Sequence, residues 1–492
     1  MRPLSPVLAL FVVLSASTPV AFAADDPGAD LEEQIRKLVS VFVAVEQEAA
    51  DPISPDQAFY TGAIPAMLRT LDPHSIFFDP GQFEQLKQME SSESKGFGTI
   101  VSIVPGRVIV LQAMDGSPSA KAGLSPGDEI LAVNGIVLAQ LEAEQLIQLL
   151  SQTRQQTAIL DVRRPGNVRL FRFALTPALI DSPSVDRAFM LSAGVGYVRI
   201  KSFEVPTGKL VKETIEKLGG EKLKGLVLDL RDNPGGVAQA AVDVASLFLQ
   251  PDQLIFTIKG RNAKEQDVRV AKLSHPYSFP VAVLVNGKSA SASEILSGAL
   301  QDHDRAAILG EPSYGKGLVQ NVFPLMGNSG LALTIAFYYT PSGRSIQKPL
   351  ASGSLDIGAA ATPGAFHTDG GREVRGGGGI QPDQIVTQAS VDRLEQVLEA
   401  TGLLTTFAGE YVRVHDIKDG FYVNPQTLDE LHVFLSGHDV QPSVSDWLKD
   451  RDWIQYRLEQ EIVNLKFGVA KGDEIEVAHD PVVAQALAAI QK

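Results

Sequence analysis

Cysteine is absent from the 492 residues. That excludes disulfide scaffolds, thiolate zinc sites, cysteine nucleophiles and cysteine-anchored lipid. Positive charge is in deficit: 43 Lys and Arg against 58 Asp and Glu leave a formal charge of −15. Gripping a phosphate backbone takes a concentrated basic face, so nucleic acid is not an expected partner. Long apolar runs are missing too. The run Val7 to Leu14 falls well short of the about 20 residues that span a bilayer, and no later stretch is long enough. The histidines show no metal-binding spacing and there is no H-E-x-x-H, so no metal and no organic cofactor is expected. What is present is a folded composition, 44% hydrophobic with 43 Gly and 29 Pro marking many turns, which rules out wholesale disorder and collagen-like repetition. At about 150 residues per domain the chain should hold roughly three units.

The first 23 residues read as an address. Arg2 gives a positive start, Val7 to Leu14 an apolar middle, and Ala21-Phe22-Ala23 a small-x-small cleavage site before Ala24. The expectation is an exported protein of the periplasm or cell envelope, or an extracellular one. No membrane-spanning segment should remain after cleavage.

Residues 24–95 read as helical, with apolar positions at helical spacing from Leu31 to Val45 and a second stretch from Pro55 to Leu71 that breaks at Asp72-Pro73-His74. Between Gly96 and Pro177 the pattern changes to short strands and tight turns, including Pro105-Gly106, Asn134-Gly135 and Pro165-Gly166. Together with Gly96-Phe97-Gly98-Thr99 and Ala120-Lys121-Ala122-Gly123-Leu124-Ser125-Pro126-Gly127-Asp128-Glu129-Ile130, this stretch resembles a PDZ domain. In the Gly-flanked loop Phe97, Gly98 and Thr99 offer successive backbone N–H groups with little competing side chain. That is an anion nest suited to the carboxylate ending a peptide, beside a strand edge free to pair with the peptide backbone. Phe97 and Thr99 stand where smaller aliphatic residues are expected around the glycine. Residues 178–388 alternate apolar strands and helices in βαβ order, and 389–492 read as helices with polar loops and no assigned role. The fold class is therefore multidomain α/β: a βαβ-type core, an inserted PDZ domain, and helical N- and C-terminal regions.

Chemistry concentrates at two loops. In Val285-Asn286-Gly287-Lys288-Ser289-Ala290-Ser291-Ala292-Ser293-Glu294 a strand turns into a helix. A serine there sits at the positive end of a helix dipole, which favours its alkoxide and any oxyanion beside it. Serine is also a common helix cap, so the residues alone leave Ser289, Ser291 and Ser293 open. The tempting base is the carboxylate-flanked His303. If 292–300 are helical, it lies roughly 18 Å from Ser291 at 1.5 Å per residue, beyond hydrogen-bond reach. Lys316, in Gly315-Lys316-Gly317, is the better base, because the strand from Ala306 to Leu309 runs back toward the serine's end of the layer. An ordinary lysine, of pKa about 10.4, is neutral only about once in 2,500 at pH 7. Burial must tune it to about 7–8. Gln320 lies four residues on. In a helical turn its amide would touch the amine; in an extended run the separation is about 13 Å and that role fails. Gly310 to Lys316 imitates half a phosphate-binding loop, but Gly317 stands where that motif needs Ser or Thr.

Ser291-Ala292-Ser293-Glu294-Ile295, Gly310-Glu311-Pro312 with Gly315-Lys316-Gly317, and Leu228 to Gly236 (LDLRDNPGG) together resemble the carboxyl-terminal processing, or tail-specific, protease family. The likeness runs from about Ala66 to Val386. It includes Leu71-Asp72-Pro73-His74-Ser75 and Tyr339-Thr340-Pro341-Ser342-Gly343-Arg344. It implies a serine endopeptidase with a Ser–Lys pair, a supporting glutamine (here Gln320), and a PDZ domain beside the protease core. The family's Ser-to-Lys spacing selects Ser291, which stands 25 residues before Lys316. It also implies an oxyanion hole made by the Ala292 and Gly236 N–H groups. Expected partners are protein substrates held by their C-terminal tails, with a second copy of the chain or an adaptor protein left open. Two other readings remain: a non-catalytic PDZ-bearing envelope scaffold or chaperone, and a Ser-His-Asp esterase that would need His303 at the serine.

Overall fold

The strands Gly225–Asp229 and Val281–Val285 are buried at every position, the mark of a parallel sheet covered on both faces. In the computed structural model they are the centre of a six-stranded sheet. Its order is Val185–Ser192, Val195–Ile200, Gly225–Asp229, Val281–Val285, Ala306–Gly310 and Gln384–Ile385. The first pair is antiparallel and every later neighbour parallel. The structure describes residues 28–51, 53–90, 94–104, 106–154, 156–262, 264–349, 365–387 and 391–491. The address read over 1–23 lies outside them.

Side-chain alternation splits the strands between two cores. Leu226, Leu228, Val281, Val283 and Val285 pack with the helices Thr207–Leu218, Ala238–Ala245 and Ala292–Asp302. Val227, Ala282 and Leu284 face the other way, onto Val482, Val483, Ala486 and Ile490 of the last helix, Pro481–Ile490. The C-terminal region is thus a lid on the second face of the sheet. The helices between Arg393 and Phe467 form their own core around Leu404, Phe407, Leu431 and Leu458.

A second, antiparallel sheet runs Ile76–Phe78, Ser329–Tyr339, Leu254–Lys259, Gln266–Arg269, with Leu318–Leu325 also paired to Ser329–Tyr339. The sequence reading missed this sheet. Its strands carry internal polar residues (Gln320, Asn321, Thr334) and no clean alternation, so no period-2 signal marks them.

The PDZ sheet holds Thr99–Val104, Arg107–Ala113, Glu129–Val133, Ala158–Arg163 and Phe171–Leu175 in spatial order. It leaves the core and returns through one antiparallel pair, Ser94–Gly96 with Ala178–Ile180. Its back rests on the C-terminal helices, where Arg107 donates to Thr406 Oγ1 at 3.0 Å and Gln112 Oε1 accepts from Val469 N–H. The first helix, Gly28–Glu48, keeps Leu31, Ile35, Leu38, Val41 and Val45 exposed. Among the described residues no helix is long and apolar enough to cross a membrane.

Candidate active site

Parallel pairing brings the two loops together. Val285 and Gly310 are register partners on adjacent strands, so the loops leaving both C-terminal ends open on the same edge, where α/β sheets place their ligands. Tyr314 N–H donates to Ser289 O at 2.9 Å, stitching lysine loop to serine loop.

Three serines share the turn, and their hydrogen bonds separate them. Ser289 Oγ donates to Leu230 O at 2.7 Å and Ser293 Oγ to Asn233 O at 3.0 Å. Both tie the helix start to the Asp-Asn-Pro-Gly-Gly turn. Ser291 is fully buried and its Oγ has no hydrogen-bond partner among the described residues. It also holds φ 59°, ψ −110°, a conformation a non-glycine residue adopts only when its surroundings enforce it, at about 1–3 kcal/mol. A buried, unengaged hydroxyl on a strained strand-to-helix turn is the geometry of a nucleophile elbow.

Glu294 does the enforcing. Its fully buried carboxylate accepts from the Ser291 N–H at 2.8 Å, and from Gly315 N–H at 2.7 Å and Lys316 N–H at 2.9 Å. It also accepts from the Ser313 hydroxyl. Burial pushes this carboxyl above its usual range, while the donated bonds pull it back. The sequence reading assigned Glu294 no role. Its signal was there in the capping-box spacing from Ser291, three residues on.

Lys316 is 4% exposed. Burial brings its amine down to about 8, against the pull of the Asp72 and Glu294 carboxylates. Gln320 is fully buried, but the helical turn weighed for Lys316 to Gln320 is not formed: Leu318–Leu325 is a strand. A bulge at Val319/Gln320 breaks its regular register. The Gln320 amide donates to His74 O at 2.7 Å, and His74 is in turn held below the usual histidine range by burial and then by Lys316. Helical spacing therefore does not join lysine and glutamine; both border the turn Asp72 to Ser75, Gln320 through its bond to His74 O and Lys316 through its electrostatic coupling to His74 and Asp72.

Opposite Ser291 lies the glycine pair. A Cβ on Gly235 would sit 2.9 Å from Ser291 Cβ and 3.0 Å from the Ala292 nitrogen, and one on Gly236 2.0 Å from Phe203 O. Only glycine fits either place. The N–H groups of Gly236 and Ala292 donate to nothing among the described residues, whereas that of Gly235 is taken by Asn233 Oδ1.

Residues 194–353 match the peptidase family S41 model and residues 109–164 a PDZ domain model. The carboxy-terminal-processing protease of Bartonella bacilliformis is 36% identical over 325 residues, covering 64% of this chain and 73% of that one. This chain belongs to the carboxy-terminal-processing proteases of family S41. A Synechocystis carboxyl-terminal-processing protease is 34% identical over 309 residues, 62% of this chain and 72% of its own. The processing protease CtpB of Bacillus subtilis is 30% identical over 337 residues, 68% and 69%. The protein is a serine-type peptidase carrying a PDZ domain.

In this protease His303 ends the helix Ala292–Asp302. Its ring contacts Asp369 Oδ2 at 2.6 Å and Leu254 O at 2.7 Å, at the end opposite Ser291. His303→Ala should keep most peptidase activity in a steady-state assay; loss of more than about tenfold would return histidine to the site.

Phe97, Gly98 and Thr99 line a groove of about 260 Å³, with Val101, Leu150 and Arg154 on its walls. Thr99–Val104 is the outer strand of the PDZ sheet, so its far edge is open for pairing. The Phe97 and Gly98 carbonyls turn inward, accepting from Ser119 N–H at 3.0 Å and Met114 N–H at 2.8 Å. Their own N–H groups donate to nothing among the described residues. Gly98 has φ 68°, and a Cβ there would meet Ser117 Cβ at 2.3 Å.

Proposed function

We propose that this protease captures the C-terminal tails of exported or envelope proteins in its PDZ groove and cuts nearby with a Ser291–Lys316 pair assisted by Gln320. One observation carries the reading: an unengaged buried hydroxyl on a strained turn shares a sheet edge with a buried lysine of pKa about 8. At pH 7 about one such amine in ten is uncharged. The neutral Lys316 takes the Ser291 hydroxyl proton as Oγ attacks the scissile carbonyl. The Ala292 and Gly236 N–H groups receive the oxyanion. The new ammonium then protonates the departing amine, and Lys316 draws a proton from the water that hydrolyses the acyl-enzyme. At the PDZ groove the free Phe97 and Gly98 N–H groups take the tail carboxylate, and the outer edge of Thr99–Val104 takes its backbone. Export is supported by the apolar run Val7 to Leu14 and the Ala-Phe-Ala site that follows it.

A serine-reactive acylating probe is expected to label wild type at Ser291 and leave Ser291→Ala unlabelled. Cleavage of a substrate with a free C-terminal carboxylate should run about tenfold faster than that of the same substrate with an amidated tail, because a charge-assisted contact is lost. Equal cleavage of the two would overturn tail capture, and an unlabelled wild type would overturn the nucleophile.

A further inference from the structure

The turn from Asp72 to Ser75 lies outside the βαβ core in sequence, before the PDZ insertion, yet it forms part of the wall around Lys316 and Gln320. Asp72 is 1% exposed and builds the turn. Its Oδ1 accepts from His74 N–H at 2.7 Å and Ser75 N–H at 2.8 Å, and its Oδ2 from the Ser75 hydroxyl at 2.6 Å. Ser75 Oγ in turn accepts from Thr334 N–H at 3.2 Å. The next residues, Ile76–Phe78, pair antiparallel with Ser329–Tyr339, the strand that also carries Leu318–Leu325. The turn is thus fixed to the same sheet as Gln320, and its product is one carbonyl. His74 O accepts from the Gln320 amide nitrogen at 2.7 Å, leaving Gln320 Oε1 buried and without a hydrogen-bond partner among the described residues.

A glutamine side chain has a donating and an accepting end, and whichever partner holds one end decides what the other presents. A carbonyl can only accept, so His74 O fixes the NH₂ toward the turn and leaves the oxygen for the site. We propose that the Asp72–Ser75 turn is a positioning element of the catalytic apparatus: it locks the Gln320 amide so that an acceptor, not a donor, is available to the N–H groups of Lys316. An acceptor there steers the lysine lone pair toward the serine hydroxyl and steadies the ammonium formed when the proton moves. A flipped amide would set donor against donor. Asp72 touches no reacting atom: it acts through His74 O and Gln320, beside the through-space pull of its carboxylate on the Lys316 amine. The inference rests on the Ser–Lys–Gln reading of the site.

The test is a double-mutant cycle on kcat/KM in the full-length protease, with Lys316→Ala as the control for the underlying reading. Asp72→Ala should lower kcat/KM by about 10- to 100-fold in wild type, mostly in kcat, and by less than about twofold when Gln320 is already alanine. Additive losses, which a merely structural role for Asp72 would give, would overturn the proposal. Should Asp72→Ala not fold, Ser75→Ala takes its place in the cycle, with a smaller loss of about threefold that must again vanish in Gln320→Ala. Asp72→Asn, which keeps the Oδ1 acceptor for both N–H groups, should restore kcat to within about threefold. An Asp72→Asn as impaired as Asp72→Ala would overturn the carbonyl-holding role. If Lys316→Ala is itself active, the Ser–Lys reading fails; if it is inactive and the cycle is additive, only the positioning role fails.

Discussion

Lys316→Ala and Ser291→Ala should each abolish cleavage, by about 10³- to 10⁶-fold in kcat/KM, and the double variant should be no worse than either single one. In the proposed mechanism the two groups perform one act, a proton leaving oxygen for nitrogen, and removing either end removes the whole of it. Lys316→Arg should not rescue, since a guanidinium stays charged at any usable pH. The pH profile carries the same logic. Activity needs the uncharged amine, so kcat/KM should climb as pH rises through about 8, the value burial imposes on Lys316. Stability moves with it. The folded-state pKa lies below that of an unfolded lysine, so below about pH 8 the native state carries a charge that it would rather shed. That cost, about 3 kcal/mol for a shift of this size, fades between about pH 8 and 10.5. Burial outweighs the attraction of Asp72 and Glu294, so Lys316→Met should be inactive and yet melt no earlier than wild type at pH 7. A marked fall in its Tm would contradict the direction of that balance.

Gly236→Ala is expected to be the most damaging change of a single atom's size. The added carbon would lie 2.0 Å from Phe203 O and 2.8 Å from Phe203 C, at φ 139°. The backbone bonds of Phe203 to Gly235 O and Val237 N–H hold that crossing together. Opening it would pull the Gly236 N–H off the oxyanion of the proposed mechanism, and loss of one such donor costs about 10²- to 10³-fold in kcat. Gly343→Ala is the control: it shares a positive φ, 84°, but no described atom lies within 4 Å, so it should cost only about 1 kcal/mol of stability. A Gly236→Ala enzyme with full kcat would remove this amide from the mechanism.

The chain disclosed the parallel sheet more readily than the active-site wall. The alternation of apolar strands and helices was readable because a strand buried on both faces, such as Val281–Val285, is a continuous apolar run. The start of the helix at Ala292 was readable because its serines announce a cap, although the Glu294 half of that signal went unused. The site's far side was not. The strand Leu318–Leu325 gives up regular alternation to carry Gln320, and the Lys316–Gln320 relation depends on a bulge and on a turn some 240 residues earlier in sequence. Pairwise spacing has no access to either. Ser289 and Ser293 show the same limit from another angle: what sets them apart from Ser291 is the carbonyls their hydroxyls meet, Leu230 and Asn233, which belong to a different loop.

The two-strand neck between core and PDZ domain has a bearing on ancestry. Gly96 and Ala178 are register partners, so the chain departs and re-enters side by side, about 5 Å apart. An excursion with adjoining ends is a cassette: it can be shortened, lengthened or exchanged while the protease core keeps its register. If the groove captures tails as proposed, diversification of tail preference would be written between those two residues, and in the helical shelf at Thr406 and Val469 on which the cassette rests.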